Sequence, residues 1–93
     1  MRELWKRVFR RRQCYRRLFL NGDGDPNASA EIVLADLKRF CRVETSTVVV
    51  SPVTKQIDPL AMAMAEGRRE VWNRIQQYLQ MADREIAELK ETE

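Results

Sequence analysis

The sequence contains no histidine and, among its 93 residues, only two cysteines and three glycines. Without histidine it lacks the commonest general base and every Ser-His or Cys-His nucleophile pair. Two thiols without imidazole cannot complete a four-ligand zinc site, and three glycines cannot form a Walker A or GxGxxG loop. A carboxylate-based enzyme stays open, but no pair of acids stands out. We therefore predict a protein that is not an enzyme and that uses no cofactor and no metal.

Long hydrophobic runs are also missing. The longest apolar run, Pro59–Ala65, has seven residues, whereas a membrane-spanning helix needs roughly 18 or more. Arginines interrupt the apolar core that a signal peptide would need near the N-terminus. We expect no membrane span and no export by that route. Cys14 and Cys41 occupy apolar positions of helical patterns and predict buried, reduced thiols.

The formal charge of +3 conceals an uneven distribution. Residues 1–20 contain eight basic residues and one acid, a local balance of +7, which leaves −4 for the rest of the chain. A basic arm on an acidic body predicts an anionic partner, or an oligomer whose arms reach neighbouring bodies. We favour contact with a protein, or internal pairing with the acidic helix, over nucleic-acid binding, because no base-reading motif accompanies the charge. The predicted contact residues are Arg2, Lys6, Arg7, Arg10, Arg11, Arg12, Arg16 and Arg17.

Hydrophobic periodicity predicts an all-α fold in one small domain covering residues 1–93. Apolar residues at helical spacing indicate a basic amphipathic helix in residues 1–20 and a second helix at 28–41, capped by Asn27 or Ser29. Residues 42–58 are rich in β-branched side chains and predict an extended connector, a strand or a loose hairpin. Asp58 and Pro59 then start a helix as cap and first residue. The expected architecture is two short helices packed on one long C-terminal helix.

That third helix, predicted at 59–91, is unusually long for a chain of this size. No proline interrupts it, so its roughly 33 residues would span about 50 Å. Its second half carries a heptad-like seam from Trp72 to Leu89. Its first half, Pro59–Ala65, is apolar on every side and must be covered by the fold or by another subunit. We therefore expect a homo-oligomer.

A dense turn signal separates the first two helices at residues 21–27. Its alternating oxygen-bearing side chains are similar to a calcium loop, but Pro26 stands where such a loop requires glycine. Ile32 also replaces the bidentate acid of that motif. An ordinary turn rich in Asn and Asp is the favoured interpretation.

The segment from Glu66 to Trp72 is unusual for a helix interior. One interpretation is a solvated charged turn with weak local ion pairs. The other is a structural contact, in which Gly67 admits another segment, two arginines pair with acids and an aromatic residue anchors the contact. The two are about equally favoured. The residues concerned are Glu66, Gly67, Arg68, Arg69 and Trp72.

Several segments together resemble a known family. They are Tyr15-Arg-Arg-Leu-Phe19, Val33-Leu-Ala-Asp-Leu37, Phe40-Cys41, Asp58-Pro59, Glu66-Gly-Arg-Arg-Glu-Val-Trp72 and Ile75. This set is similar to the Bbp-nineteen-like small bacteriophage proteins, found in a podophage. The resemblance covers residues 15 to about 79. Its most specific part is the Glu-Gly-Arg-Arg segment together with its spacing from the Val-Leu-x-Asp-Leu segment of the second helix.

The resemblance implies a tailed-phage context. The family is encoded among virion morphogenesis genes and has no assigned catalytic activity. The expected function is therefore a non-enzymatic, oligomeric structural or assembly protein of the virion, assembled in the host cytoplasm. Its expected partners are other virion proteins, including the portal at the head-to-tail region. The alternative is a phage accessory protein that binds nucleic acid, including packaged DNA, through the arginine-rich helix.

Overall fold

A computed structural model describes residues 3–92, which form four helices. These are α1 (Leu4–Phe19), α2 (Ala28–Phe40), α3 (Pro59–Gln80) and α4 (Asp83–Thr92). No strand is assigned within residues 3–92; the connector holds one isolated antiparallel bridge, between Val50 and Ile57. The all-α prediction is confirmed, and the first two helices lie within a residue or so of the predicted bounds among described residues.

The single long helix predicted at 59–91 is wrong. The chain leaves helical conformation at Met81 and Ala82 and starts again as the ten-residue α4. The predicted seam from Trp72 to Leu89 is therefore divided between two helices. The second start has a local cause, because Glu85 Oε2 accepts a 2.8 Å hydrogen bond from the Ala82 backbone N–H. This is half of a capping box, and Asp83 and Glu85 add negative charge to the first turn.

The described residues form two compact units. The first contains the chain up to Glu31 and from Ile75 onward, and the second contains Ile32–Arg74. In the first unit, α1 packs against α4. Its core is a cluster of Tyr78, Met81 and Ile86, against which three partly buried side chains of α1 pack: Trp5, Val8 and Tyr15.

Arg12 lies in the middle of the buried side of α1, where only 3% of the residue is exposed. Its Nη1 donates a 3.2 Å hydrogen bond to the Met81 carbonyl, and its Nη2 lies 2.8 Å from Asp83 Oδ1. The carbonyl belongs to the break between α3 and α4, and the carboxylate belongs to the first residue of α4. One guanidinium therefore fixes the turn between these helices onto α1.

Only some of the apolar side chains of α1 are buried. Tyr15 stacks on Tyr78 with ring centroids 4.7 Å apart, and the Lys90 ammonium lies 5.0 Å from the centre of the Trp5 ring. Leu18, however, is 71% exposed, and Cys14 is an exposed free thiol rather than a buried one. Arg12 occupies the buried stripe in place of an apolar residue.

Both predicted helix caps are confirmed. Asn27 Oδ1 accepts a 2.8 Å bond from the Ala30 N–H, and Asp58 Oδ1 accepts 3.1 Å bonds from the Leu60 and Ala61 N–H groups. These bonds satisfy backbone donors that have no partner inside the helix. The starts of α2 and α3 are therefore encoded locally.

We predict that Arg12→Ala lowers the free energy of unfolding by about 2–4 kcal/mol, through a cavity and an unpaired buried carbonyl. Arg11→Ala is the matched control, because Arg11 is the exposed neighbour on the same helix, and its effect should stay within about 0.5 kcal/mol. Urea denaturation measures the loss in each variant, provided that the dependence of the free energy of unfolding on urea concentration is the same as in the unaltered protein. Equal losses in the two variants would show that Arg12 does not hold the turn.

Candidate interaction surfaces

The charged segment of α3 holds the chain that follows α2 within the second unit. Arg69 Nη2 donates to the carbonyls of Arg42, Val43 and Thr45. The Thr47 hydroxyl donates to Glu66 Oε1, and Thr47 is buried. These contacts attach the whole turn after α2 to one side of α3.

The turn after α2 begins with a residue in the left-handed backbone conformation. Arg42 adopts a φ of 53°. The N–H groups of Arg42 and Val43 donate back to the carbonyls of Arg39 and Lys38, at 3.1 and 3.2 Å. This is the Schellman arrangement, usually closed by glycine because a side chain is disfavoured in that conformation. The hydrogen bond from Arg69 to the Arg42 carbonyl therefore holds a disfavoured backbone in place.

Two neighbouring contacts complete this attachment. The Arg68 guanidinium lies 4.5 Å from the centre of the Phe40 ring, a distance suited to a cation–π contact. Lys38 Nζ lies 2.7 Å from Glu44 Oε1, and its hydrogen bond and positive charge lower the pKa of Glu44. Because the folded-state pKa is lowered, the stabilisation from this pair is present above the ordinary glutamate pKa and is lost as the pH falls below it.

The partners of the Glu66–Trp72 segment differ from those that the sequence predicted. Arg69 bonds backbone carbonyls rather than acids, and Arg68 lies over an aromatic ring. Beyond its chain neighbours and the adjoining backbone of α3, Gly67 has no close neighbour among the described residues, and α3 continues through it. Trp72 is partly buried.

One side of the first half of α3 is apolar and uncovered. Within the second unit the fold buries Ala65, whereas Leu60 is 80%, Met64 61% and Val71 57% exposed. Ala63 and Gly67 are exposed between them. We call these residues the open face of α3: Leu60, Ala63, Met64, Gly67 and Val71. The sequence predicted that this stretch needs a cover, and within the second unit the described residues cover only its Ala65 side.

Some basic residues of α1 are buried in the fold, and others are exposed on its surface. Arg12 is internal, and Arg16 is partly buried. Arg7, Arg10, Arg11 and Arg17 are exposed and form no hydrogen bond or ion pair with the described residues, whereas Lys6 pairs with Glu3 at 3.2 Å. Lys6, Arg10 and Arg17 share a shallow groove with Trp5, Phe9, Gln13 and Cys14. The predicted contact residue Arg2 lies outside the described residues.

The loop at 21–27 is built as a turn. Asn21 Oδ1 accepts from the Asp23 and Asp25 N–H groups at 3.0 and 3.2 Å, and Asn27 Nδ2 donates to the Leu18 carbonyl at 3.0 Å. The side-chain amides thus form hydrogen bonds with backbone groups, as in an ordinary Asx turn. Within residues 3–92, no group of three or more acids or cysteines is arranged to hold a metal ion.

Comparison with known protein families gives a match. Residues 15–90 match the family described as Bbp19-like phage protein. The chain belongs to this family. The predicted resemblance is confirmed, and it covers α2, α3 and most of α1 and α4, including the whole Glu66–Trp72 segment. No curated protein and no solved structure matches this family member significantly.

Family membership establishes a phage-related protein. In the described part of the chain, no helix has both the length and the apolar character that crossing a bilayer requires.

We predict that Arg69→Lys lowers the free energy of unfolding by about 1–3 kcal/mol, because the shorter lysine side chain cannot place a donor where Arg69 Nη2 meets the carbonyls of the turn. Amide hydrogen exchange should rise at Val43 and Thr45 before the helices open. Arg39→Lys is the control, since Arg39 is exposed on α2. If both lysine variants unfold alike, Arg69 does not hold the turn.

Proposed function

We propose that the protein is a non-enzymatic structural or assembly component of a bacteriophage particle. It acts as an oligomer at the portal or head-to-tail region, and its partners are other virion proteins. The observation that carries this proposal is the open face of α3. Three large apolar side chains that are more than half exposed on one helix are typical of a surface that a protein partner covers.

Two further features support this function. The family places the chain in a phage context. The Glu66–Arg69 segment is used to hold the second unit together, and its chemistry of carbonyl and aromatic contacts is architectural. The protein therefore works by contact, in virions assembled in the host cytoplasm.

Mass spectrometry of purified phage particles tests this function. We expect peptides of this chain in mature virions, and chemical cross-links from its lysines to the portal or an adjoining tail protein. Particles grown and purified in parallel from a phage lacking the gene are the control. A chain found only in the infected-cell lysate, and never in particles, would rule out the virion role.

A second function is favoured by a separate observation. Arg10 and Arg17 are exposed on α1, have no ion-pair partner among the described residues and lie in one groove with Lys6. Positive side chains along a helix match the phosphate backbone of nucleic acid. The alternative is thus a phage accessory protein that binds DNA through this surface.

Salt-dependent binding to duplex DNA tests the alternative. Replacing Arg10 and Arg17 together by alanine should weaken binding and reduce the slope of log K against log salt by about two, since each phosphate contact contributes roughly 0.9. Gln13→Ala, in the same groove, should change neither. Arg12 must be left intact because it is buried in the fold. Negligible affinity of the unaltered protein at low salt would leave α1 as a protein-binding helix.

A further inference from the structure

The two residues that separate α3 from α4, Met81 and Ala82, both favour helix. Alanine is the best helix former and methionine is among the good ones, and neither glycine nor proline stands at these positions. Ala82 precedes the first residue of α4 and so occupies its N-cap position, where alanine is among the poorest residues. We call Met81 and Ala82 the hinge. The hinge sequence by itself favours a helix that continues through it.

The apolar pattern also continues across the hinge without a change of phase. Its members are separated by four, three, four and three residues, which is the spacing of one uninterrupted apolar face. They are Ile75, Leu79, Ala82, Ile86 and Leu89. In the structure Leu79 and Ile86 are buried, whereas Ala82 is exposed. The sequence therefore remains in register for a helix that includes the hinge.

Two hydrogen-bonding arrangements compete for the hinge backbone. In a continuous helix the Glu85 N–H would donate to the Met81 carbonyl, which lies four residues before it. In the structure the Glu85 N–H donates instead to the Ala82 carbonyl, at 3.0 Å. The Met81 carbonyl accepts the 3.2 Å bond from Arg12 Nη1. Arg12 thus takes the place of the donor that a continuous helix would supply.

The contacts that keep the hinge non-helical differ in their exposure to water. The bond from the Ala82 N–H to Glu85 Oε2 is exposed, and water competes with such a bond. The bond from Arg12 to the Met81 carbonyl is buried, where a hydrogen bond is electrostatically stronger. The same guanidinium pairs with Asp83, the first residue of α4. Arg12 is therefore the contact that decides the conformation of the hinge.

We propose that the hinge is a two-state switch controlled by α1. With Arg12 on the Met81 carbonyl, α3 and α4 are separate helices and α4 packs on α1. Without that contact the hinge becomes helical, and α3 continues directly into α4. A partner that binds α1 only after α1 has left α4 shifts the protein toward the continuous helix, by as much as the partner prefers that state. The switch goes beyond the proposed function and does not depend on it.

Backbone NMR of the full chain distinguishes the two states through the N–H groups of Asp83 and Arg84. These groups belong to the first turn of α4 and have no acceptor inside that helix. A continuous helix would supply the carbonyls of Leu79 and Gln80 as their acceptors. Slow hydrogen exchange at both N–H groups therefore reports the continuous helix, and fast exchange reports the separate helices.

Arg12→Met tests the control by α1. Methionine removes the guanidinium, keeps a long side chain at the buried position and favours helix about as well as arginine. Exchange of the two N–H groups should slow at least about tenfold, and the Cα chemical shift of Met81 should become helical. Arg11→Met, at the exposed neighbour, is the matched control and should behave as the unaltered protein. Unchanged fast exchange in Arg12→Met, whether α4 stays folded or frays, would overturn the proposal.

Two exposed positions test the switch without altering the buried arginine. Glu85→Ala removes the acceptor of the Ala82 N–H and should move the Met81 Cα shift toward helical values, whereas Glu88→Ala, also exposed on α4, should not. Ala82→Asn supplies a good N-cap and a poorer helix former. Added to Arg12→Met, it should restore fast exchange. Equal shifts in the two alanine variants, or slow exchange that persists after Ala82→Asn, would show that the hinge is not a switch.

Discussion

The guanidinium of Arg12 joins α1 to the turn between α3 and α4, and the packing of the first unit depends on it. Removing an arginine from water is costly unless its charge is paired and its donors are used. Here Asp83 supplies the charge and Met81 the carbonyl, while Nε stays buried without a partner among the described residues. The turn geometry and the buried charge therefore require each other: without the turn Arg12 would be unpaired, and without Arg12 the Met81 carbonyl would lose its donor.

Arg69 solves a similar problem in the second unit. Both arginines donate to main-chain carbonyls where a helix has ended, Arg12 after α3 and Arg69 after α2. A planar fork with several donors suits this task, because such carbonyls lie close together and point in similar directions. The consequence for electrostatics is that a count of basic residues overstates the charge a partner meets. Arg12 and Arg69 stabilise the fold and do not add to the charge that a partner meets.

The features that could be predicted from the sequence are those with local causes. The starts of α2 and α3 follow from Asn27 and Asp58, whose side chains cap the next turn, and the apolar run at 59–65 contains the exposed side chains of Leu60 and Met64. The break at Met81 could not be predicted by periodicity, because no glycine or proline marks it. Its only local signal is the acidic pair Asp83 and Glu85, and its main cause lies in a distant helix. For the same reason Arg12 was assigned to the surface: its burial depends on partners 69 and more residues away.

The division of the chain has a consequence for the order in which it folds. The second unit is contiguous, from Ile32 to Arg74, so all of its contacts are available once that stretch has been synthesised. The first unit joins the two ends of the chain, and its contact between Arg12 and Met81 closes a loop of most of the sequence, which is entropically the slower event. During synthesis the basic α1 therefore emerges before α2 and α3 and stays without α4 until residues 83–92 have been added. For that interval Arg12 is solvated, and the nascent chain carries its full cluster of positive charge.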